Sequence, residues 1–162
     1  MSLLNNVCVI GAGAWGCALA NILAKTSQKT NLFSSRKDFI ESFNKSHISS
    51  SLSGVSLAKN IFATSDFSLL KSSEIIFIVS DVKRVEEFFK QISDKISQNS
   101  IIVLCSKGFS NDGRLFSQIF QKQFPKQKFA ILSGPNFAIE VAQKKFATLN
   151  PFKLVFQLIL MK

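Results

Sequence analysis

Short runs of consecutive apolar residues recur along this chain, each followed by an apolar stripe at helical spacing. The clearest are Val7-Cys8-Val9-Ile10, Ile75-Ile76-Phe77-Ile78-Val79 and Ile101-Ile102-Val103-Leu104, with Lys128-Phe129-Ala130-Ile131-Leu132 as a further strand. A strand that is apolar at successive positions has no face to give to water, so it belongs in a parallel sheet covered on both sides. Trp15, Ala18, Leu19, Ile22 and Leu23 fall on one helical face. So do Val82, Val85, Phe88, Phe89, Ile92 and Ile96, and so do Leu115, Phe116, Ile119, Phe120 and Phe124, a stripe stopped by Pro125. Weaker signals give strands at Thr30–Phe33 and Ile61–Ala63 and a helix from Lys37 to Asn44. Ser65 or Asp66 is placed to cap a short helix through Leu70. Ser133-Gly134-Pro135-Asn136 breaks the last strand, and Phe137 to Lys144 has helical character. Strand and helix thus alternate about six times over short connections. Such alternation needs crossovers, and the fold class it predicts is α/β, a doubly wound, mostly parallel sheet with helices on both faces. The serine-rich stretch from Lys45 to Lys59 is long for a connector and is expected to be a functional loop.

Composition narrows the function. At 162 residues the chain fits one domain, and 46% apolar residues with 17 Phe exclude a disordered one. No apolar run approaches the roughly 20 residues that cross a bilayer, the late run Leu154–Met161 being interrupted by Gln157. The start lacks a basic region and a cleavage site, so no secretory signal is expected. Cys8, Cys17 and Cys105 are an odd count without metal spacing, which reads as small buried hydrophobes in a reducing, cytoplasmic setting. With one histidine, His47, and no paired cysteines, no metal site is expected. The net charge of +10 would suit a nucleic-acid partner, but the lysines are scattered, with no block of five like charges. They read as solvated surface, with some available for small phosphates, and no nucleic-acid partner is expected.

Gly11-Ala12-Gly13-Ala14-Trp15-Gly16 is a G-x-G-x-x-G that follows a strand and opens a helix. That context is what distinguishes a dinucleotide site from a chance glycine cluster. Gly11 allows a tight turn, Gly13 lets the backbone approach a pyrophosphate, and Gly16 lets the helix pack close to the strand. The residues after the second strand set the cofactor. A carboxylate there would favour NAD, whereas Ser34-Ser35-Arg36-Lys37 stand in its place. Arg36 can grip a 2′-phosphate with two N–H groups and stack on adenine, and Ser35 can hydrogen-bond the same phosphate. NADPH is therefore the expected cofactor, with NADH possible. Cys105-Ser106-Lys107-Gly108 and Ser133-Gly134-Pro135-Asn136-Phe137-Ala138 also follow strands, at the sheet end where open α/β folds place ligands. Lys107 could bind a substrate phosphate or polarise a carbonyl.

Four segments in register resemble one family. They are Val9–Ala20, Asn60-Ile61-Phe62-Ala63-Thr64-Ser65-Asp66, Ser106-Lys107-Gly108 and Leu132–Ala142. Together they are similar to the bacterial NAD(P)-dependent glycerol-3-phosphate dehydrogenases from about residue 7 to 148. The resemblance implies reversible reduction of dihydroxyacetone phosphate to sn-glycerol 3-phosphate, a phospholipid precursor. By position it implies Ala14, Trp15, Ser35, Arg36, Lys107 and Ala138 as cofactor contacts. It implies Lys107, Gly134 and Asn136 as substrate contacts. The chain departs from the family pattern at Ser53 and Ser80, where proline is usual, at Asn136, where Ser or Thr is usual, and at Phe146, where proline is usual. Family members carry a second, helical domain that supplies the proton-transferring lysine, and these 162 residues hold no match to it. The expectation is a dinucleotide-binding domain over 1–148, a divergent tail over 149–162, and a truncated or frameshifted gene with no catalytic residue of its own. The oligomeric state is not readable. Two alternatives stay open: a non-catalytic NADP-binding module or gene remnant, and the matching domain of another dehydrogenase such as a ketopantoate reductase. The Ser-Lys-Gly and Ser-Gly-Pro-Asn-Phe-Ala segments weigh against the latter.

Overall fold

A computed structural model describes residues 3–53, 55–106, 108–110, 112–133, 138 and 157–161. Strand β1 (Leu4–Ile10) lies between β2 (Ser27–Phe33) and β6 (Ile75–Ile78), parallel to both. Beyond β2 lies β5 (Ile61–Thr64), and beyond β6 lie β7 (Ile101–Leu104) and β8 (Lys128–Ser133). These six strands are parallel, and β9 (Gln157–Met161) adds antiparallel to β8. The order β5-β2-β1-β6-β7-β8-β9 reverses direction on either side of β1, which creates a crevice at its carboxyl end. Part of the segment expected as a divergent tail therefore joins the sheet as β9. The helical expectation over Phe137–Lys144 lies outside the described residues apart from Ala138.

Successive side chains of a strand point to opposite faces, and β1 shows the consequence. Val7 and Val9 join the cluster built with helix α1 (Ala14–Leu23) and helix α2 (Lys37–Ser46). Cys8 and Ile10 join the cluster built with α3 (Val85–Ile92) and α4 (Phe116–Gln123). All four β1 residues are at most 1% exposed, as a strand covered on both faces requires. Three buried cysteines are free thiols, two of them in the α1-side cluster.

Phenylalanine dominates the second face. Phe120 stacks on Phe129 at 4.2 Å and on Phe124 at 4.7 Å, and meets Phe89 edge-on at 5.2 Å. Ring pairs in these geometries add to the area they bury. The edge strand β5 is tied down by an amide pair: Asn44 Nδ2 donates to the Ala63 carbonyl at 2.9 Å, and the Ala63 N–H donates to Asn44 Oδ1 at 2.8 Å. Asn60 Nδ2 closes the other end of that strand on the carbonyls of Ala24 and Ser27.

The structure adds a packing role to one expectation and changes another. The stretch from Lys45 to Lys59 is a packing device, a two-stranded hairpin of β3 (Ile48–Ser49) and β4 (Val55–Ser56) around a 3-10 turn. It seats Leu52 and Leu57, both under 4% exposed, on the α1 face. Ser49 Oγ donates to Cys17 Sγ, and the Ala58 N–H donates to Asn21 Oδ1. The stripe from Val82 to Ile96 is not one helix. Val82–Arg84 form a 3-10 turn, α3 covers Val85–Ile92, and Ile96 packs from the turn that follows. The expected cap is present, Asp66 Oδ1 accepting from the Ser68 N–H at 2.9 Å, on a 3-10 helix Phe67–Ser72.

Phe120→Ala should cost about 3–5 kcal/mol in urea unfolding, the range for emptying a buried aromatic site. Phe62→Ala, on a ring 45% exposed, should cost less than about 1 kcal/mol.

Candidate functional site

The turn after β1 is forced by contacts that leave no room for a side chain. Gly11 has φ +118°, and a Cβ there would fall 1.8 Å from the Val79 carbonyl oxygen. A Cβ on Gly16 would fall 1.8 Å from the Gly11 carbonyl oxygen. The helix therefore sits against the strand end as only glycine permits. Gly13 is different. It is the N-cap of α1, in extended conformation, and nothing lies within 4 Å of the position a Cβ would take. The space above the first turn of α1 is thus open backbone.

That helix end has no side-chain cap and no acidic residue in its first turn. The amides and the helix dipole together favour a bound anion. A cleft of about 910 Å3 opens over it, between the carboxyl ends of β2, β1 and β6. Gly11, Gly13, Ala14, Trp15, Gly16, Ser35 and Arg36 all line this cleft.

Arg36 is positioned from two sides. Its Nη2 donates to the Ala12 carbonyl at 3.3 Å, and the guanidinium lies 4.9 Å from the Phe39 ring centroid. Its backbone N–H donates to Ser34 Oγ, which holds the bend between β2 and α2. The side chain remains exposed at the rim. Asp38 sits in the first turn of α2, where a carboxylate complements the helix dipole.

Of the other expected contacts, Lys107, Gly134 and Asn136 lie outside the described residues. Ala138 is half-buried and packs against the α1-side cluster.

The cleft also gathers residues that the sequence left without a role, and Ser80 among them is tied to Ser106 beside it. Ser106 Oγ donates to the Ser80 carbonyl and accepts from the Ser80 N–H at 3.4 Å, linking the chain ends that leave β6 and β7. A proline at 80 would have no N–H for this bond. The sequence places Ser106 at the ligand end of the sheet, but only the pairing of β6 with β7 makes the two serines neighbours. Arg84, Glu87 and Gln91 form a polar row along the cleft side of α3. Their spacing marks one helical face, but not which face meets the cleft. Cys105 lines the floor, where burial pushes its thiol up to about 12, so it stays protonated and is no nucleophile. Among the described residues no group of three or more His, Cys, Asp or Glu could hold a metal ion, and no helix is long and apolar enough to cross a membrane. The arrangement suits binding of a long anionic ligand with a planar part.

Residues 6–150 match the family described as NAD-dependent glycerol-3-phosphate dehydrogenase N-terminus. A glycerol-3-phosphate dehydrogenase (NAD(P)+) from Neorickettsia sennetsu is 40% identical over 147 residues, 90% of this chain and 44% of that protein. Its counterpart from Orientia tsutsugamushi is 34% identical over 140 residues, 85% of this chain and 42% of that protein. The crystal structure of glycerol-3-phosphate dehydrogenase from Coxiella burnetii superposes with a TM-score of 0.80 at 26% identity, covering 86% of this chain and 44% of that one. A ketopantoate reductase from Ralstonia eutropha shares the fold alone, with a TM-score of 0.59 at 14% identity over 80% of this chain and 42% of that one. The chain spans less than half the length of the curated relatives it matches.

Two alanine substitutions separate the roles of the glycines. Gly16→Ala should cost about 2 kcal/mol or more, because rigid backbone blocks the new methyl. Gly13→Ala should cost about 1 kcal/mol or less, the difference between these residues at an N-cap. Urea unfolding of both variants measures the contrast.

Proposed function

The chain belongs to the NAD-dependent glycerol-3-phosphate dehydrogenase family through that family's N-terminal domain, and on that premise we propose that its cleft binds NADPH, with NADH as the weaker ligand, for reversible reduction of dihydroxyacetone phosphate to sn-glycerol 3-phosphate. The observation that carries the cofactor reading is the uncapped end of α1 beneath the open space at Gly13. A methyl group at Gly13 would fill the place where a pyrophosphate approaches the amides. Gly11 and Gly16 hold the turn, and Ala14 and Trp15 carry the amides of the first helical turn. Ser35 and Arg36 receive the 2′-phosphate. A guanidinium already fixed by Ala12 and Phe39 loses little freedom when it binds.

The nicotinamide supplies a hydride to the carbonyl carbon when bound. Lys107 and Ala138 complete the cofactor contacts in this reading. Lys107, Gly134 and Asn136 hold the phosphorylated substrate, an assignment that rests on the family resemblance. In this reading the proton that the alkoxide oxygen needs comes from a lysine of the family's helical domain. Residues 1–148 are then the binding domain and 149–162 a tail divergent in sequence, whose strand β9 extends the domain's sheet. Three buried, unpaired cysteines fit a reducing cytoplasm as the place of action.

Fluorescence titration of the chain with both cofactors tests this. Arg36→Ala should raise the NADPH dissociation constant about tenfold, the scale of a charge-assisted contact, and that for NADH less than about twofold. Equal losses would remove the 2′-phosphate role of Arg36. Failure of the unaltered chain to bind either dinucleotide would remove the reading itself.

A further inference from the structure

Two arginines line the cleft, and both are backed by a phenylalanine of the helix that follows. Arg36, after β2, lies 4.9 Å from the Phe39 ring centroid, and Arg84, after β6, lies 4.9 Å from that of Phe88. Because β1 separates β2 from β6, the strands that lead to them flank the crevice, about two strand spacings or ~10 Å apart, and both arginines line the cleft between. A phosphate bound in that cleft has a cation among the lining residues on either side.

We infer that Arg84 is a second determinant of cofactor choice, gripping the 2′-phosphate of NADPH from the wall opposite Arg36. This rests on the proposed binding of NADPH in the cleft. Among the described residues Arg84 pairs with Glu87, Nε to Oε2 at 3.7 Å, and that contact leaves its two terminal amino groups uncommitted to Glu87. The other carboxylate oxygen of Glu87 accepts from Gln91 Nε2 at 2.9 Å. Gln91 thus keeps Glu87 held when Arg84 turns to the phosphate, and the carboxylate charge that then opposes the ligand is the charge that Glu87→Gln removes. Both partners of the pair are about half exposed, so the pair contributes little and yields readily to a doubly charged phosphate. The ring of Phe88 keeps the guanidinium plane fixed during the exchange.

The test uses adenosine 2′,5′-bisphosphate and adenosine 5′-monophosphate as probes, titrated calorimetrically into the chain. Arg84→Gln should weaken the bisphosphate about tenfold and the monophosphate less than about twofold, a charge-assisted hydrogen bond being worth that much. Arg84→Lys should recover part of the loss, and Glu87→Gln should leave the bisphosphate unweakened. A merely structural role would weaken both probes alike in Arg84→Gln and lower its melting temperature, and that result overturns the inference. So does an unchanged ratio of the two affinities. If the unaltered chain binds NADPH while Arg84→Gln behaves like it, only the role of Arg84 falls. If the unaltered chain binds neither NADPH nor the bisphosphate, the cofactor reading falls with it.

Discussion

The end of β1 governs this molecule. There the Gly11 N–H donates to the Phe33 carbonyl of β2 at 3.1 Å, and the Val79 N–H donates to the Ile10 carbonyl at 2.8 Å. The strand is paired on both sides up to its last residue, then turns at once into α1 because Gly11 and Gly16 let backbone touch backbone. A side chain at either position would push the helix outward and move its amide end away from the crevice. The neighbouring strands lead their chains to opposite faces, α2 beside α1 and α3 on the other side. The cleft is the space those divergent paths leave.

Electrostatics follow from that geometry. The first turn of α1 contributes partial positive charge with no acid to offset it, and Arg36 and Arg84 stand on either side. The net charge of +10 thus resolves into a few placed cations and a larger number on the solvated surface. A phenylalanine ring lies against each placed guanidinium, Phe39 from the α1-side cluster and Phe88 from the α3–α4 face.

Much of the architecture was legible because burial writes itself into periodicity. Ile75–Ile78 and Ile101–Leu104 are apolar throughout and occupy the middle of the sheet. The glycine turn was legible because each of its contacts is local or one strand away. The packing role of the Lys45–Lys59 stretch is hidden in the sequence because its serines conceal two inward leucines, Leu52 and Leu57, whose partners on α1 are distant in sequence. The stripe from Val82 to Ile96 gave the correct buried face but not the change from 3-10 turn to α-helix, since both place residues three or four apart on one side. Ser80 and the Arg84–Glu87–Gln91 row needed the strand order before they could be assigned to one cavity. Nothing in the sequence ties β9 to β8, because an antiparallel edge partner carries no crossover signature.

The central claim is that the crevice at the end of β1 is a dinucleotide site organised by bare backbone. Mapping backbone amide shifts in a labelled sample titrated with NADPH tests it most directly. The account predicts saturable shifts concentrated at Gly11–Gly16, Ser34–Arg36 and Ser80–Glu87, with the β3–β4 hairpin on the α1 face unmoved. Saturable shifts centred on that hairpin, or none at Gly13 and Ala14 at saturating cofactor, would contradict it.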